Sequence, residues 1–435
     1  MERLIFQSLI SWKSEKSRKP LLLRGARQVG KTFIVRKLGE NFKHFIEVNF
    51  EMEPEVKNFF KDNLSPDVIC TKLSAYYNVP LTDGESLLFF DEIQSCPEAL
   101  QSLRFFYEKR SGLHVIAAGS LLEFALGEIS SFGVGRIHSL FMYPLSFNEF
   151  LMAMGKEPLI EIKNSASAEN PVDEVFHNQL KDLFIKFLLV GGMPESVKIF
   201  SETLDILQSQ RVLDDIINSL EDDFVKYKKR INTSRLKDIY LSLLHQTGNK
   251  FNIGKSSQTG NHEQKREALE MLVMAGLCYK VFHTSANGIP LASEKNLRKF
   301  KMIFFDTGIL QRSLKLNLAE FFVSEDIQQI NRGSIVEQHV GLEIVKSLFC
   351  NVKPELYYWH REKKGSNAEV DYIIEKNSKI LPVEVKSGVQ GKMQSLFIFL
   401  ELKKQNEGIR TSLENFSKYD NICVYPVYAI DTILR

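Results

Sequence analysis

The residues best suited to chemistry lie near the amino end, in an eight-residue segment that contains two glycines. The segment reads Gly25-Ala26-Arg27-Gln28-Val29-Gly30-Lys31-Thr32. Glycines let a loop turn tightly enough to aim several backbone N–H groups at one anion, just before a helix N-terminus that also favours negative charge. The lysine and hydroxyl after the second glycine suit a phosphate oxygen and a Mg²⁺ ion. The segment, extended to Phe33, therefore predicts a binding site for a nucleoside triphosphate.

Two adjacent carboxylates, Asp91 and Glu92, end an apolar run at 87–90. With the glycine segment upstream, Asp91 is expected to hold Mg²⁺ together with Thr32, and Glu92 to orient and deprotonate an attacking water. Each motif also has a plainer interpretation, as a strand-end turn with a solvated lysine or as a solvated strand end. Their joint presence favours binding of ATP and Mg²⁺ and hydrolysis to ADP and phosphate.

These motifs need a parallel sheet to position them. From residue 21 to about 142, short apolar runs alternate with amphipathic segments, which is typical of parallel strands joined by crossover helices. The predicted strands are 21–24, 45–49, 87–90, 115–118 and 137–142. The glycine segment follows the first strand and opens a helix, which is the structural context that its predicted role requires.

The middle of the chain is predicted to be mostly helical. The apolar pattern fades at 155–171, which we interpret as a loop or lid connection. Helical periodicity then covers 182–190, 201–217 and 221–229, with a turn at 191–194. This part predicts a helical lid.

Two further units are predicted after the lid. Helices at 235–244 and 265–275, followed by a two-stranded ribbon at 277–283 and 301–305, indicate a small winged-helix-like unit. The last unit has a helix and three strands, at 335–348, 356–360, 369–374 and 380–385. The predicted domains are 1–150, 151–232, 233–325 and 326–435.

Composition gives weaker information. The chain has 435 residues and a formal net charge of +2, from 56 Lys and Arg against 54 Asp and Glu, so global charge does not indicate nucleic-acid binding. Glu123 and Arg136 interrupt the longest apolar candidates for a membrane span. We expect a soluble cytoplasmic protein without membrane contact.

Several segments together resemble an uncharacterised group of prokaryotic AAA-type ATPases in which a C-terminal domain of unknown function follows the ATPase. They are the glycine segment, Leu-Leu-Phe-Phe-Asp-Glu-Ile-Gln at 87–94, Ala-Ala-Gly-Ser at 117–120, Pro-Leu-Ser-Phe-Asn-Glu-Phe at 144–150, Gly-Gly-Met-Pro-Glu at 191–195 and Phe-Asp-Thr-Gly at 305–308. The resemblance covers essentially the whole chain and implies an α/β P-loop NTPase core of the AAA type.

The same resemblance implies roles for two more residues. Ser120 looks like the sensor that hydrogen-bonds the attacking water or the γ-phosphate, and Arg136 is a candidate arginine finger, suited to charge on the transferring phosphoryl group. An arginine that acts in trans would require a homo-oligomer or another partner. Arg136 is equally suited to pairing with a surface carboxylate, and Arg27 is a weaker candidate for the finger.

A second set of chemical residues lies in the last unit. Asp371 and the pair Glu384 and Lys386 lie on adjacent predicted strands, where alternation of side chains puts Glu384 and Lys386 on one face. With Glu337 on the preceding helix, the set resembles the restriction-endonuclease-like, PD-(D/E)xK, fold. Such carboxylates bind a second divalent metal for phosphodiester hydrolysis, and the lysine positions or activates water. Two other interpretations stay open: a hairpin with a solvated charged face, and a nuclease-like fold that only binds.

The sequence supports two functional hypotheses. In the first, ATP hydrolysis moves the lid and the winged-helix-like unit and is thereby coupled to a nuclease-like or DNA-binding C-terminal module. In the second, slow turnover makes the protein a regulatory switch, and the C-terminal domain only binds protein or nucleic-acid partners.

Overall fold

The computed structural model describes residues 1–120, 122–128, 135–227, 231–256, 260–315, 330–348, 350–363, 365, 367–388 and 393–434.

A five-stranded parallel sheet forms the amino-terminal core. Its strands are β1 (Leu21–Arg24), β2 (His44–Asn49), β3 (Ser86–Asp91), β4 (His114–Ala118) and β5 (His138–Phe141). They lie in the order β2-β3-β4-β1-β5, so that Leu21 of the central strand pairs with Ile116 on one side and with His138 on the other. The predicted parallel α/β sheet is confirmed, with each strand within two residues of its predicted ends.

Both faces of this sheet are covered, as its nearly continuous apolar strands require. Leu21 and Leu23 pack into one apolar core, whereas Leu22 between them packs into another. Five helices surround the sheet: α1 (Ile5–Ser14), α2 (Lys31–Gly39), α3 (Pro66–Tyr77), α4 (Pro97–Lys109) and α5 (Leu122–Glu128). The first two contribute to the core that contains Leu21, and the next two to the core that contains Leu22.

The helical region that follows contains α6 (Phe147–Ala153), α7 (Glu157–Ser165), α8 (Glu174–Val190), α9 (Pro194–Thr203) and α10 (Ile206–Asp223). The interpretation of 155–171 as a loop is wrong, because α7 lies inside it. Its Leu159 is buried, and its fully buried Lys163 pairs with Asp431 at 2.5 Å, so distant partners hold a segment whose own apolar pattern is weak.

The helix predicted at 201–217 is in fact two helices. Leu204 has a φ of +57°, which ends α9, and the side chain of Asp205 caps α10 by accepting the N–H of Leu207 at 2.8 Å. A single residue in the left-handed region is enough to break a helix whose apolar periodicity continues on both sides.

The remaining elements are α11 (Thr233–Gln246), α12 (His262–Met274), β6 (Cys278–Thr284), β7 (Lys295–Phe304), α13 (Thr307–Ser313), α14 (Ile330–Ser347), β8 (Leu356–His360), β9 (Glu369–Lys376), β10 (Lys379–Val385), α15 (Gln394–Lys403), β11 (Gly408–Ser412), β12 (Ser417–Tyr419) and β13 (Ile422–Pro426). Short 3₁₀ segments occur at Pro54–Phe60, Ile93–Ser95, Phe224–Tyr227, Ile253–Lys255, Leu291–Glu294 and Val427–Leu434.

All strands from β6 onward belong to one eight-stranded sheet, in the order β12-β13-β11-β10-β9-β8-β6-β7. The ribbon of β6 and β7 forms as predicted, but β6 also pairs in parallel with β8, with Val281 beside Leu356. The segment predicted to be a winged-helix-like unit therefore shares its sheet with the C-terminal strands. The backbone groups along one side of β6 find their partners in β8.

Among the described helices, none combines the length and the apolar character needed to cross a bilayer.

Candidate functional site

The glycine segment forms a loop between the end of β1 and the start of α2. Gly25 has a φ of +150°, and a Cβ at this position would overlap the carbonyl oxygen of Met142. Gly30, which directly precedes α2, has a φ of +96°. Both conformations favour glycine, and the second lies directly before the N-terminus of α2.

Lys31 lies inside this loop, with only 8% of its surface exposed. Its ammonium donates hydrogen bonds to the carbonyl oxygens of Gly25, at 2.9 Å, and Ala26, at 2.7 Å. Burial lowers the pKa of Lys31 to about 8. The cation is therefore already directed into the concave side of the loop, where phosphate oxygens are expected.

The hydroxyl of Thr32 donates to a carboxylate oxygen of Asp91 at 3.0 Å. Asp91 ends β3 and is 4% exposed, and its burial raises its pKa although the hydrogen bond from Thr32 opposes this effect. A hydroxyl and a carboxylate in contact are two oxygen ligands of the kind that Mg²⁺ prefers. The two residues predicted to hold the metal are thus neighbours across the carboxyl edge of the sheet.

Glu92 lies beside them and turns toward the end of β4. One of its carboxylate oxygens accepts a hydrogen bond from the Gln94 amide at 2.6 Å and another from the Ser120 hydroxyl at 3.4 Å. Glu92 adopts a φ of +48°, in the left-handed region of backbone conformations. The structure therefore brings together the predicted base and the predicted sensor.

The other residues of the glycine segment face different surroundings. Arg27 forms an ion pair with Asp223 at the end of α10, and this contact joins the loop to the helical region. Ala26 is buried beside Gly276, Val29 is buried in the core, Gln28 has a φ of +62°, and the side chain of Phe33 is 54% exposed. A cleft of about 380 Å³ opens next to Gly25 and Ala26 and is also lined by Ser120 and Met274.

Arg136 does not join this group in its own chain. It precedes β5, and β5 runs parallel to β1, so Arg136 lies at the amino edge of the sheet whereas the glycine loop lies at the carboxyl edge. Its guanidinium is half exposed and pairs with Glu108 near the end of α4, at 2.5 Å. An action of Arg136 on the nucleotide of the same chain is therefore incompatible with this structure.

Sequence reasoning missed Arg3, which supports the loop from outside. Its guanidinium donates to the Val29 carbonyl oxygen at 2.8 Å and to the Tyr143 carbonyl oxygen at 2.7 Å, and pairs with Glu149 at 2.9 Å. The side chain is almost fully buried. An arginine three residues from the amino end has no local pattern that could have revealed these contacts.

Two of the segments that carry the family resemblance meet in space. The carboxylate of Asp306 accepts the N–H of Gly192 at 2.6 Å and caps α13 by accepting the N–H of Ile309 at 2.9 Å. Side chains at Gly191 or Gly192 would overlap Asp306 or Leu145. The next residues, Met193 and Pro194, extend this contact to the glycine loop, since Pro194 lies beside Gly30.

The four residues predicted in the last unit also come together. The Lys386 ammonium pairs with Glu384 at 2.6 Å, and a carboxylate oxygen of Asp371 accepts the N–H of Val385 at 2.8 Å. Glu337, on α14, is connected to Asp371 through a lysine that contacts both. We call Glu337, Glu369, Asp371 and Glu384 the carboxylate cluster.

That lysine is Lys301 of β7, which sequence reasoning did not assign to the site. Its ammonium lies 2.9 Å from Glu337, 2.6 Å from Glu369 and 3.7 Å from Asp371, and its side chain is 3% exposed. The role of Glu369 was likewise not foreseen. A charged residue in the otherwise apolar run at 300–305 was the available signal, because a buried lysine needs a carboxylate partner.

Burial is the main influence on two members of the cluster, whereas for a third, Glu369, burial is outweighed by the charge of Lys301 and the pKa is lowered. Burial raises the pKa of Glu337 to about 8 and that of Glu384 to about 7, and one oxygen of Glu384 is buried without a hydrogen-bond partner among the described residues. This free oxygen and the neighbouring carboxylates fit a hard divalent cation. The ammonium of Lys301, however, already contacts Glu337 and Asp371, which such an ion would share.

A third group, His283, His360 and Glu362, places possible metal-ligand atoms within 4.8 Å of one another. Glu362 is paired with Lys299 at 2.6 Å. Burial and the nearby charge of Lys250 lower the pKa of His360 to about 4. The surrounding positive charge disfavours a cation here.

Solved structures with detectable similarity include a Walker-type ATPase, an Orc1 protein and an ORC. A Walker-type ATPase of Pyrococcus abyssi is 16% identical, with 72% of this chain and 96% of that chain covered and a TM-score of 0.47. The Orc1 protein of Aeropyrum pernix in complex with DNA is 12% identical, with 73% and 92% covered and a TM-score of 0.27. The Drosophila ORC bound to DNA is 14% identical, with 72% and 94% covered and a TM-score of 0.28. Similarity at this level does not transfer an activity.

Family models describe three consecutive parts of the chain, while none of the curated proteins matches it significantly. Residues 17–151 match an AAA domain, residues 181–320 match a domain of unknown function (DUF8612), and residues 332–430 match a second domain of unknown function (DUF4143). The chain thus contains an AAA-type P-loop ATPase-like domain followed by two domains of unknown function.

Proposed function

We propose that this protein binds ATP with Mg²⁺ at the glycine loop, hydrolyses it to ADP and phosphate, and couples its nucleotide state to the C-terminal module. The observation that supports this most directly is the contact between Thr32 and Asp91, with Glu92 and Ser120 beside them at the carboxyl edge of the sheet. If the lysine and the strand end were merely solvated, Lys31 and Asp91 would not both be buried.

Each residue has a definite task in this proposal. The backbone N–H groups of 25–32 and the ammonium of Lys31 bind the phosphates, and Thr32 and Asp91 hold Mg²⁺. Bound Mg²⁺ neutralises charge that develops on the phosphoryl oxygens. Glu92 accepts the proton of the attacking water, and Ser120, which already contacts Glu92, orients that water or the γ-phosphate.

Replacing Glu92 by glutamine tests this assignment. Because glutamine cannot accept the proton, turnover should fall by roughly 10²-fold or more while the affinity for ATP changes little. Turnover is measured by phosphate release, and affinity with a fluorescent ATP analogue. Glu85→Gln, an exposed carboxylate just before the same strand, serves as the control and should retain activity. Full turnover by the Glu92 variant would remove it from the reaction.

Arg136 is proposed to act in trans, because it lies at the amino edge of the sheet whereas the glycine loop of the same chain lies at the carboxyl edge. Arg136→Ala and Glu92→Gln should each be inactive alone. A mixture should recover part of the turnover, since some interfaces then combine an intact Arg136 with an intact Glu92. Activity of Arg136→Ala equal to the wild type, or no recovery on mixing two variants that both bind ATP, would exclude this role.

Metal-dependent phosphodiester cleavage at the carboxylate cluster is a second candidate function. It is favoured by the convergence of Glu337, Asp371, Glu384 and Lys386, and by the buried oxygen of Glu384 that has no described partner. In this proposal the carboxylates hold a second divalent metal and Lys386 positions the attacking water. With Mn²⁺, the protein should nick DNA and Glu384→Gln should abolish nicking, whereas Glu401→Gln, an exposed control on α15, should not. Nicking that persists in the Glu384 variant or in EDTA would refute it.

The alternative is a regulatory switch in which slow ATP turnover controls partner binding and the C-terminal sheet performs no chemistry. Turnover measured with and without DNA separates the two. Strong stimulation by DNA supports coupling to a DNA-acting module. An unchanged rate, together with protein partners that bind only one nucleotide state, supports the switch.

A further inference from the structure

A cleft of about 540 Å³ is lined by the segment 250–254 and by residues of α12, β7 and β8. We call it the basic cleft. Its cationic lining residues are Lys250, Arg266, Arg298 and Lys299, and none of its described lining residues is an aspartate or a glutamate. In a chain whose basic and acidic residues are almost balanced, four cationic side chains and no carboxylate among the described lining residues form a local excess of positive charge.

The charges of this cleft are only partly neutralised by neighbours. Lys250 pairs with Glu369, and Lys299 with Glu362, both from outside the cleft lining. Arg266 and Arg298 are exposed, and neither forms an ion pair with any part of the chain that the structure describes. The lowered pKa of His360, to which burial and then Lys250 contribute, is consistent with a positive potential. Two guanidinium groups thus remain available for an anionic ligand.

Two phenylalanine side chains also line the cleft. The rings of Phe251 and Phe300 are nearly parallel, with an interplanar angle of 21° and centroids 6.1 Å apart, and both residues are partly exposed. Aromatic faces next to arginine and lysine side chains suit ligands that alternate phosphates with planar rings. A simple polyanion would gain nothing from the aromatic pair.

One end of the cleft touches the carboxylate cluster. Lys250 forms its ion pair with Glu369 at 3.1 Å, and the ring of Tyr358, which lines the cleft, lies 5.3 Å from the ammonium of Lys301. Lys301 in turn contacts Glu337, Glu369 and Asp371. A chain molecule that occupied the cleft would therefore pass beside the proposed phosphodiester-cleaving residues.

We infer that the basic cleft binds single-stranded nucleic acid, with Arg266 and Arg298 on the phosphates and Phe251 and Phe300 against the bases. Binding itself is independent of the second candidate function; only cleavage of the bound strand rests on it, because the cleft would then deliver its substrate to the carboxylate cluster. Single strands are favoured over duplex because bases can stack on protein rings only when they are not already paired and stacked within a helix.

The inference is tested by fluorescence anisotropy with labelled oligothymidine and the full-length protein, in EDTA so that cleavage cannot occur. Arg266→Ala/Arg298→Ala should weaken binding at least about tenfold and reduce the slope of log affinity against log salt by about 1.4, since about 0.7 of a counterion is released per single-strand phosphate contact. Phe251→Ala should weaken binding by about fivefold or more, the lower end of what base stacking contributes. The control is Lys198→Ala/Arg211→Ala, two exposed cations on α9 and α10, which should bind like the wild type.

Further arms separate the possible outcomes. Matched oligouridine shows whether DNA or RNA is preferred, and either preference supports the inference. Failure of the wild-type protein to bind either single strand would overturn it, as would duplex binding of equal strength that is unaffected by Phe251→Ala. ATP turnover and nicking are measured separately on the same preparations. If the wild-type protein binds single strands but does not nick DNA, only the second candidate function is refuted. If the protein nicks DNA but the arginine variant binds as tightly as the wild type, only the inference about the basic cleft is refuted.

Discussion

Two buried lysines show how their partners decide the state of a cation. Lys31 rests on neutral carbonyl oxygens, and burial outweighs the nearby charges of Glu92 and Asp91 and lowers its pKa to about 8. Burial acts on Lys301 in the same direction, but Glu337, Asp371 and Glu369 outweigh it, and its pKa lies well above the ordinary value. In the proposed function, Lys31 gives up only neutral hydrogen-bond partners when it binds a phosphate. Lys301 is bound to carboxylates that a divalent metal would also use.

Replacing Lys301 by methionine should expose this competition. Loss of one partner of a buried ion-pair network should lower the free energy of unfolding by roughly 3–5 kcal/mol without metal. Mn²⁺ should then recover much of that loss, because it can replace the missing positive charge, and it should stabilise the variant more than the wild-type protein, in which Lys301 competes for the same carboxylates. The measurement is chemical denaturation with and without Mn²⁺.

Lys299→Met, an exposed position on the same strand, is the matched control. Its surface ion pair should be worth at most about 1 kcal/mol, and Mn²⁺ should not change its stability. If Mn²⁺ left the Lys301 variant as unstable as before, the carboxylate cluster would not be a metal site.

At the scale of elements, the ends of helices connect the parts of the chain. Asp306 caps α13 and at the same time binds the N–H of Gly192, which follows α8. Asp205 caps α10 by the same chemistry, but it lies at the surface and serves its own helix alone. Asp306 therefore joins two elements that are more than a hundred residues apart in the chain, whereas Asp205 only caps one helix.

Alanine at these two caps should have unequal effects. Asp306→Ala should lower the free energy of unfolding by about 2–4 kcal/mol, because it removes a cap and leaves the buried N–H of Gly192 without a partner. Asp205→Ala should cost about 1 kcal/mol, the ordinary value of an exposed cap. Urea denaturation measures both. Equal losses would show that the contact with Gly192 contributes nothing.

His114, at the start of β4, should make the packing of α1 sensitive to acid. It is 4% exposed and packs edge-on against Trp12 and Phe42, and burial followed by the charge of Arg18 lowers its pKa from 6.5 to about 4. At pH values between these two, His114 is protonated in the unfolded chain but neutral in the folded chain. The contribution of His114 to stability is therefore complete above pH 6.5 and is lost as the pH falls toward 4.

Replacement of His114 by phenylalanine removes this titration. Between pH 7 and pH 4.5 the wild-type protein should lose up to about 3 kcal/mol more unfolding free energy than the variant does, the equivalent of the pKa shift. Denaturation curves at several pH values provide the comparison. Parallel pH profiles of the two proteins would contradict the assignment.

At the scale of the whole molecule, the shared eight-stranded sheet unites parts that the sequence suggests are separate. The β6–β7 ribbon supplies Lys301 to a cluster whose acids come from α14, β9 and β10. Asp306, which lies between β7 and α13, binds Gly192, and Pro194 just after it lies beside Gly30 of the glycine loop. The ATPase-like domain and the carboxylate cluster are therefore connected through one continuous segment. This arrangement gives the proposed coupling a physical route.

A chain ending at residue 315 should not fold independently. It would keep β6 but lose β8, which leaves the backbone groups of one edge and the apolar residues packed there without partners. Exposed apolar strand edges promote aggregation. Size-exclusion chromatography and thermal unfolding should show aggregates and no transition at the temperature of the full chain. A monomer with the full-length melting temperature would show that the ribbon belongs to a self-sufficient unit.

Much of the ATPase-like core could be predicted from the sequence because its signals are local. An apolar strand, a glycine loop and a helix follow one another directly, and an apolar run ending in Asp91 and Glu92 needs no distant information to be recognised as a strand with acids at its carboxyl end. The position of Arg136 was also accessible. A residue that precedes a parallel strand must lie at the opposite edge from one that follows a strand.

Only the tertiary structure decided how the remaining parts meet. Strands pair through backbone groups that every residue type carries, so the periodicity of β6 and β8 does not reveal that they are neighbours. The same holds for Lys301, whose partners are 36, 68 and 70 positions away in the chain, and for Arg3 beneath the glycine loop. The sequence by itself determined the chemistry of each segment, whereas the order of strands in space determined which of these chemistries share a site.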